Sequence, residues 1–409
     1  MTSQQPQAQQ PPHTTLPRRH LADAIATASH GDYIRIALDG AAVQIIGADP
    51  TLLVCVAIGD ATATATPPAP TSVTVPTRQL IAEVKALPDG DVTMQIIGAT
   101  LQLRSGNRTA TITAQGRLPD VIDVPASSWQ PLSCANAATL GHAIAAVAPA
   151  AVVDPARPAV AGVRLEAVGG VGDAASAQLH VVATDGARLH CRTVTLATQL
   201  PRSLTLPNAV VGAVTSLLGR GEVVAVKPAT AKKRGGGAAA GVVTTSPPTF
   251  TIAVGVHNIA LRCVDTATTT TLYARLAPEP YAPWRRIADG LGGGAAVVAV
   301  TLDATALLSW LRSCPADAVT LCVDATAQLL RLDYVVTDDT GTRRLGGGED
   351  SLGCVAPTDA PPLPIKLSVR YLRDVLVGCM GDVVLSWSSG QPVRVSAAGQ
   401  LVGVVMWMR

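Results

Sequence analysis

An α+β fold of three tandem modules, each with two helices packed on antiparallel sheets, is predicted by three observations. One layout recurs six times along the 409 residues: an amphipathic helix of roughly ten to twelve residues, a polar or Gly turn, then two strands. Hydrophobic residues make up 48% of the chain but aromatics only 3%, with a single Phe, so the cores must be built from Val, Leu, Ile and Ala. That composition suits many small β-rich layers. Low-complexity stretches rich in Ala, Thr, Pro or Gly separate the units, and the length is enough for two to four domains with developed cores. Six units imply three modules of two, because two helices of about 15–18 Å can cover one face of a sheet.

Taken in order, residues 1–17 read as a disordered Gln/Pro-rich tail without a signal-peptide pattern. The first helix is expected over 19–28, with Leu21, Ala24, Ile25 and Ala28 on one face. The second covers 77–87 through Leu80, Ile81, Val84 and Leu87 and is stopped by Pro88-Asp89-Gly90. Strands over 92–97 and 101–104 flank the turn Gly98-Ala99, and another runs over 108–113. The helix recurs over 136–147, over 206–218 before Gly219-Arg220-Gly221, over 303–314 and over 368–379. Gly381-Asp382 stops the last, ahead of strands over 383–387 and 393–397. The modules are therefore 18–126, 127–290 and 296–409. Loops are expected over 62–74, over 228–248 (a basic Gly-rich flap containing Lys232-Lys233-Arg234), at the linker 290–294 and over 338–364.

Chemistry is excluded more easily than assigned. There is no GxxxxGK[ST], HExxH or GxSxG, the seven His show no paired spacing, and the Gly runs at 169–172 and 292–294 lie outside any βαβ unit. Eight scattered Cys, with no CxxC pair, read as reduced small hydrophobes, and Asn107-Arg108-Thr109 as an idle sequon. No apolar run is long enough to span a bilayer, so a cytoplasmic protein is expected, without catalytic residues, metal or cofactor. Net charge is +2, from 31 basic and 29 acidic residues, which neither demands nor excludes nucleic acid. Binding is the function class that remains.

The most informative stretch is Val181-Val182-Ala183-Thr184-Asp185-Gly186-Ala187-Arg188-Leu189. Asp185-Gly186 is a turn signal, and the Arg-Leu pair after it places a guanidinium beside an aliphatic group near the surface, where both can grip a partner. A plain hairpin turn is the other reading. Together with Arg157-Pro158-Ala159-Val160-Ala161-Gly162-Val163-Arg164-Leu165-Glu166 upstream and Val404-Val405-Met406-Trp407-Met408-Arg409 at the end, this stretch resembles the bacterial-type sliding clamp, the beta subunit of DNA polymerase III. Val75-Pro76-Thr77-Arg78-Gln79-Leu80, Ala86-Leu87-Pro88-Asp89-Gly90 and Leu103-Arg104-Ser105-Gly106 match in order, so the resemblance runs from about residue 19 to the end.

The resemblance implies three tandem DNA-clamp modules in a crescent, two chains closing a ring around duplex DNA as a homodimer, and docking of a polymerase and clamp loader. Inner-helix cations would face phosphates without reading bases. The candidates are Arg19, Arg78, Lys85, Arg202, Arg220, Arg312, Arg370 and Arg373, each equally readable as a solvated charge or local ion pair. A Gln/Leu/Phe-type linear peptide would dock between the middle and last modules. Its pocket would be formed by Val160, Thr184, Gly186, Arg188, Leu189, Arg286, Ile287, Tyr371, Val404, Val405, Met406 and Met408. Ala110, Ile112 and Leu308 stand at the implied dimer interface. Departures from the family pattern are Ala187, Ser368 and Trp407, where His, Asn and Pro are usual, Ala110 in place of an aromatic, and short turns at 30–33 and 312–315. The alternative function is a non-encircling scaffold or competitor that keeps the pocket without forming a ring.

Overall fold

The computed structural model describes residues 13–39, 42–59, 62–63, 71–119, 129–152, 154, 156–168, 177–197, 200–221, 247–289, 298–337 and 344–408. The expected tail up to residue 12, most of the 62–74 loop, the flap up to residue 246 and the 290–294 linker lie outside them. Seven α-helices are present among the described residues: α1 (Arg18–Ala28), α2 (Thr77–Ala86), α3 (Cys134–Val147), α4 (Asn208–Gly219), α5 (Trp284–Asp289), α6 (Ala304–Ser313) and α7 (Val369–Leu376). Six match the repeated helices read from the sequence. The exception, α5, is a short turn within a segment that gave no periodic signal.

Two helix starts follow from side-chain capping. Asp303 accepts from Ala306 N at 2.7 Å and Ser368 from Tyr371 N at 3.4 Å, so the first residues expected in those two helices are their N-caps. At α4 the start moves from 206 to Asn208, because Leu204–Leu206 is a strand paired with Val163–Val168. Pro207 then leads into the helix.

The chain falls into two compact units, Met1–Ala138 with Leu217–Arg275, and Thr139–Ser216 with Leu276–Arg409. In the first, an eight-stranded antiparallel sheet runs in the order Gln130–Leu132, Thr249–Val254, Asn258–Val264, Thr268–Arg275, Leu52–Ile58, Ala42–Ala48, Tyr33–Asp39, Thr71–Pro76. A second sheet carries Thr62–Ala63, His13–Pro17, Asp91–Ile97, Thr100–Ser105 and Arg108–Thr113. Leu21 and Ile25 of α1 and Leu80 and Val84 of α2 are buried, as are Ile34, Ile36, Met94, Leu101 and Leu103 of the sheets.

The second unit repeats the plan. Its eight-stranded sheet runs Leu204–Leu206, Val163–Val168, Ala177–Thr184, Arg188–Leu196, Gln400–Val405, Val393–Ala397, Asp382–Trp387, Val298–Asp303, and its four-stranded sheet runs Arg344–Gly353, Leu329–Thr337, Ala318–Asp324, Ile365–Ser368. Leu307 and Leu311 of α6 and Leu372, Val375 and Leu376 of α7 pack with Val300, Leu321, Leu332, Leu385 and Val395 in one core. The division falls inside the expected middle module, at 138/139, 216/217 and 275/276. Each half of that module is hydrogen-bonded into a different sheet: Thr268–Arg275 pairs with Leu52–Ile58, and Arg188–Leu196 with Gln400–Val405.

Three expected irregular stretches contain strands. In the expected 62–74 loop these are Thr62–Ala63 and Thr71–Pro76, the latter paired with Tyr33–Asp39 because Val73 and Val75 alternate into the core. His13–Pro17 pairs with Asp91–Ile97, since Thr14 and Leu16 alternate into the core, so the tail expected over 1–17 ends before residue 13. Arg344–Gly353, inside the expected 338–364 loop, pairs with Leu329–Thr337 despite three consecutive Gly. Nearly all of it is exposed, and its register follows its partner strand.

Candidate partner-binding cleft and basic faces

The turn after Ala177–Thr184 is built from its own side chains. Asp185 Oδ1 accepts from the backbone N–H of Ala187 and Arg188, both at 2.9 Å, and Thr184 Oγ1 accepts from Gly186 N at 3.2 Å while donating to Arg188 O at 2.7 Å. Gly186 has φ +87°, a conformation in which a Cβ is strained. Beyond the turn the chain re-enters the sheet, with Leu189 opposite Val404 and Arg188 opposite Val405. Met406 N donates to Ala187 O at 2.9 Å, which fastens the terminal strand to the turn.

A cleft of about 430 Å³ opens beside this junction. Thr184, Gly186, Arg188, Leu189, Arg286, Ile287, Val404 and Met406 line it, eight of the twelve residues expected there. Ile287 and Met406 are about two-fifths exposed, over a floor of buried Leu189 and Val404. The others lie elsewhere: Val160 is half-buried on a single 3-10 turn, Tyr371 lies under the Arg188 guanidinium, Val405 is in the core, and Met408 is held through its N–H by Lys366 O at 2.8 Å. Gly390, Gln391 and Pro392 complete the wall and were not anticipated. Their turn between two late strands carries no sign of which cleft it will face. Trp407 fixes it by donating from Nε1 to Gly390 O at 3.2 Å.

Arg188 itself differs from expectation. Its side chain is only 4% exposed, and its guanidinium is committed to Asp185 Oδ2 at 3.0 Å, Asp374 Oδ2 at 2.6 Å and Pro149 O, with the Tyr371 ring 4.4 Å away. It braces the cleft from below and is not free to grip a ligand. The two residues on the same strand face continue the pattern. His190 is fully buried with Nδ1 3.2 Å from Ala146 O, and Arg192 donates to Val375 O and Val377 O, both at 3.0 Å, at the end of α7. Burial first, and the neighbouring guanidinium groups after it, push the His190 imidazole down to about 4. The unfolded chain therefore binds a proton that the folded chain refuses between pH 6.5 and about 4. Stability should fall as pH drops through that window, and denaturation midpoints of His190→Gln should show a shallower fall.

On the other side of the cleft α5 is anchored by Glu166, which accepts from Trp284 Nε1 at 2.7 Å and Arg285 Nε at 2.9 Å. Burial alone would raise this carboxyl, but the two hydrogen bonds and the Arg285 charge outweigh it and hold it low. Arg286 and Ile287 are thereby left facing the cleft.

The basic candidates vary in freedom. Arg19, Arg78, Lys85 and Arg312 are exposed, and Arg78 and Lys85 share one stripe of α2, seven residues apart. Arg220 is engaged with Thr270 Oγ1 at 3.0 Å and Thr27 Oγ1 at 3.1 Å, and Arg202 is half-buried. Arg370 and Arg373 lie 3.9 and 3.8 Å from the Asp374 carboxylate that also holds Arg188.

At the expected interface, Ala110 and Ile112 point into the first unit's own core, and Leu308 packs partly buried against the core around Leu307. Strand Arg108–Thr113 is a sheet edge, so its outward groups are backbone and the exposed Thr109, Thr111 and Thr113. Ala110→Phe should therefore overpack the first unit, costing about 1–3 kcal/mol in thermal or chemical denaturation. It is not expected to add an interface contact.

No helix among the described residues is long and apolar enough to cross a membrane, and no three His, Cys, Asp or Glu among them are grouped to hold a metal ion. All eight Cys are free. No family model and no curated protein matches the chain. Solved structures do. The DNA polymerase III beta subunit of Pseudomonas aeruginosa is 20% identical, covering 97% of this chain and 100% of its own, with a TM-score of 0.72. That of Thermotoga maritima is 17% identical over 97% and 99%, with a TM-score of 0.73. A sliding clamp of Bartonella birtlesii, solved bound to griselimycin, gives 17% over 97% and 99%, also at 0.73. The chain has the fold of the DNA polymerase III beta sliding clamps, in a strongly diverged sequence.

Proposed function

We propose that this chain is a DNA sliding clamp, a non-catalytic processivity factor that encircles duplex DNA and tethers a polymerase, and its loader, by a linear peptide in the cleft at Leu189, Val404 and Met406. The observation that carries the reading is that residues distant in sequence, 184–189, 286–287 and 404–406, converge on one cleft beside a sheet junction. An apolar floor with an adaptable Met at its lip suits a short peptide.

Three modules in a crescent, with two chains closing the ring, is the assembly that fits the strand edges. Within the chain, the third strand after one helix joins the third strand after another: Thr268–Arg275 with Leu52–Ile58, and Gln400–Val405 with Arg188–Leu196. By the same rule Arg108–Thr113 and Arg344–Gly353 are the strands without such a partner among the described residues, both at sheet edges there. A second copy would pair them, since open edges recruit strands. Exposed Arg19, Arg78, Lys85, Arg312 and Arg370 would then meet phosphates by charge alone. Cytoplasmic location follows from this role.

The test is retention on DNA after loading by an ATP-driven loader. A ring stays on circular DNA and slides off the same DNA once linearised. Equal loss from both would support the non-encircling scaffold, as would a strictly monomeric mass at micromolar concentration.

A further inference from the structure

The five-stranded sheet of the first unit carries a second hollow, on its outward face. In Asp91–Ile97, Thr100–Ser105 and Arg108–Thr113 buried residues alternate with polar ones that face away from the core. The hollow measures about 580 Å³, and every described residue that lines it is polar or Gly. Register sets the groups side by side. Arg104 stands directly opposite Thr93 on one neighbouring strand and Thr109 on the other, and Gln102 stands opposite Gln95. Asp91 is one diagonal step from Arg104, about 7–8 Å in such a ladder. The side chains of Asp91, Gln102, Arg104 and Thr109 nonetheless have no hydrogen-bond or ion-pair partner among the described residues. Nearby cations are taken, Arg18 by Asp89 and Arg108 by Glu83.

These groups narrow the ligand. A hollow of this size takes a small molecule, not a lone ion. Its described walls offer no aliphatic or aromatic side chain, so neither an apolar ligand nor a stacked base finds a surface there. A guanidinium flanked by hydroxyls is a donor set for an oxyanion, and its fork matches phosphate. A carboxylate one step away accepts from paired hydroxyls, as acidic side chains do from a ribose, and the Gln102 amide both donates and accepts. We infer that this hollow binds a sugar phosphate, with the phosphate on Arg104 and Thr109 and the sugar hydroxyls on Asp91 and Gln102. The site shares no residue with the cleft or with the candidate DNA-facing cations, so the inference stands or falls apart from the clamp reading.

The experiment is titration calorimetry of the full chain with ribose 5-phosphate, ribose and inorganic phosphate at matched ionic strength. Ribose 5-phosphate is expected to bind about tenfold tighter than either part, as one further hydrogen bond to a charged group allows. Arg104→Gln should weaken ribose 5-phosphate about tenfold. Asp91→Ala should instead bring the ratio of ribose 5-phosphate to inorganic phosphate affinity to about one. Both side chains are exposed, and each variant is checked for an unchanged melting curve. Adenosine 5′-monophosphate should gain nothing over ribose 5-phosphate; a gain of about tenfold would move the ligand class to nucleotides and overturn this one. Equal binding of ribose 5-phosphate and inorganic phosphate by the natural chain would reduce the hollow to an anion site and overturn the sugar. Binding of none of them, or binding untouched by Arg104→Gln, would overturn the inference outright.

Discussion

Arg188→Ala should destabilise the second unit by about 3–5 kcal/mol, read as a lower denaturation midpoint, because it strips the counter-charge from two largely buried carboxylates at once. Asp185 and Asp374 are 22% and 17% exposed in their side chains, so water replaces little of what the guanidinium supplied. Pro149 O would lose its donor and Tyr371 the cation stacked on its ring. Adding Asp374→Asn should recover part of the loss, since the three groups form one network and their effects are not additive. Arg188→Lys should recover little, because an ammonium cannot reach Asp185, Asp374 and Pro149 in one plane. Any loss of peptide binding in Arg188→Ala would then follow the unfolded fraction, and measurements well below the melting temperature should find most of the affinity retained. A direct ligand contact would predict the opposite, full loss in a folded protein.

That arrangement was beyond the sequence for a simple reason: Asp374 is 186 residues from Arg188, and nothing local distinguishes an arginine that faces solvent from one that meets a distant carboxylate. The same holds for Gly390-Gln391-Pro392, whose composition announces a turn and not the cleft it walls. What was legible is local. Six helices could be read because Leu, Ile and Val recur at helical spacing, and the Asp185-Gly186 turn because its side chain and its positive φ are fixed within four residues. The orientation of Ala110 and Ile112 was also legible, though read otherwise: apolar residues alternate with Thr109, Thr111 and Thr113, which puts them on the inner face. Strand Arg344–Gly353 offered no comparable signal, since Gly346-Gly347-Gly348 is poor in β propensity and only the partner strand fixes it.

That strand also carries the sharpest test of assembly. If two copies join through it, Ser351→Pro should raise the dimer dissociation constant about tenfold to 100-fold, because the edge loses a donor and the facing carbonyl is left unsatisfied, at about 1–3 kcal/mol. Position 351 is chosen because its N–H is bonded to Asp350 Oδ1 at 2.7 Å, a side-chain acceptor that leaves this donor outside the backbone ladder with Leu329–Thr337. Proline is tolerated on an edge strand where its missing N–H faced outward, and Asp350 is already extended, as the residue before proline must be. The melting temperature of the separated chain should therefore move little, while sedimentation or native mass measurement shows the shift to monomer. Ser351→Ala, which keeps the N–H, should assemble normally. Full assembly of the proline variant would move the joint away from this edge, and retention on circular DNA would then have to be explained by another contact. A shift to monomer together with loss of that retention would tie the encircling state to one row of backbone donors, at the strand whose three glycines and exposed surface make least sense in an isolated chain.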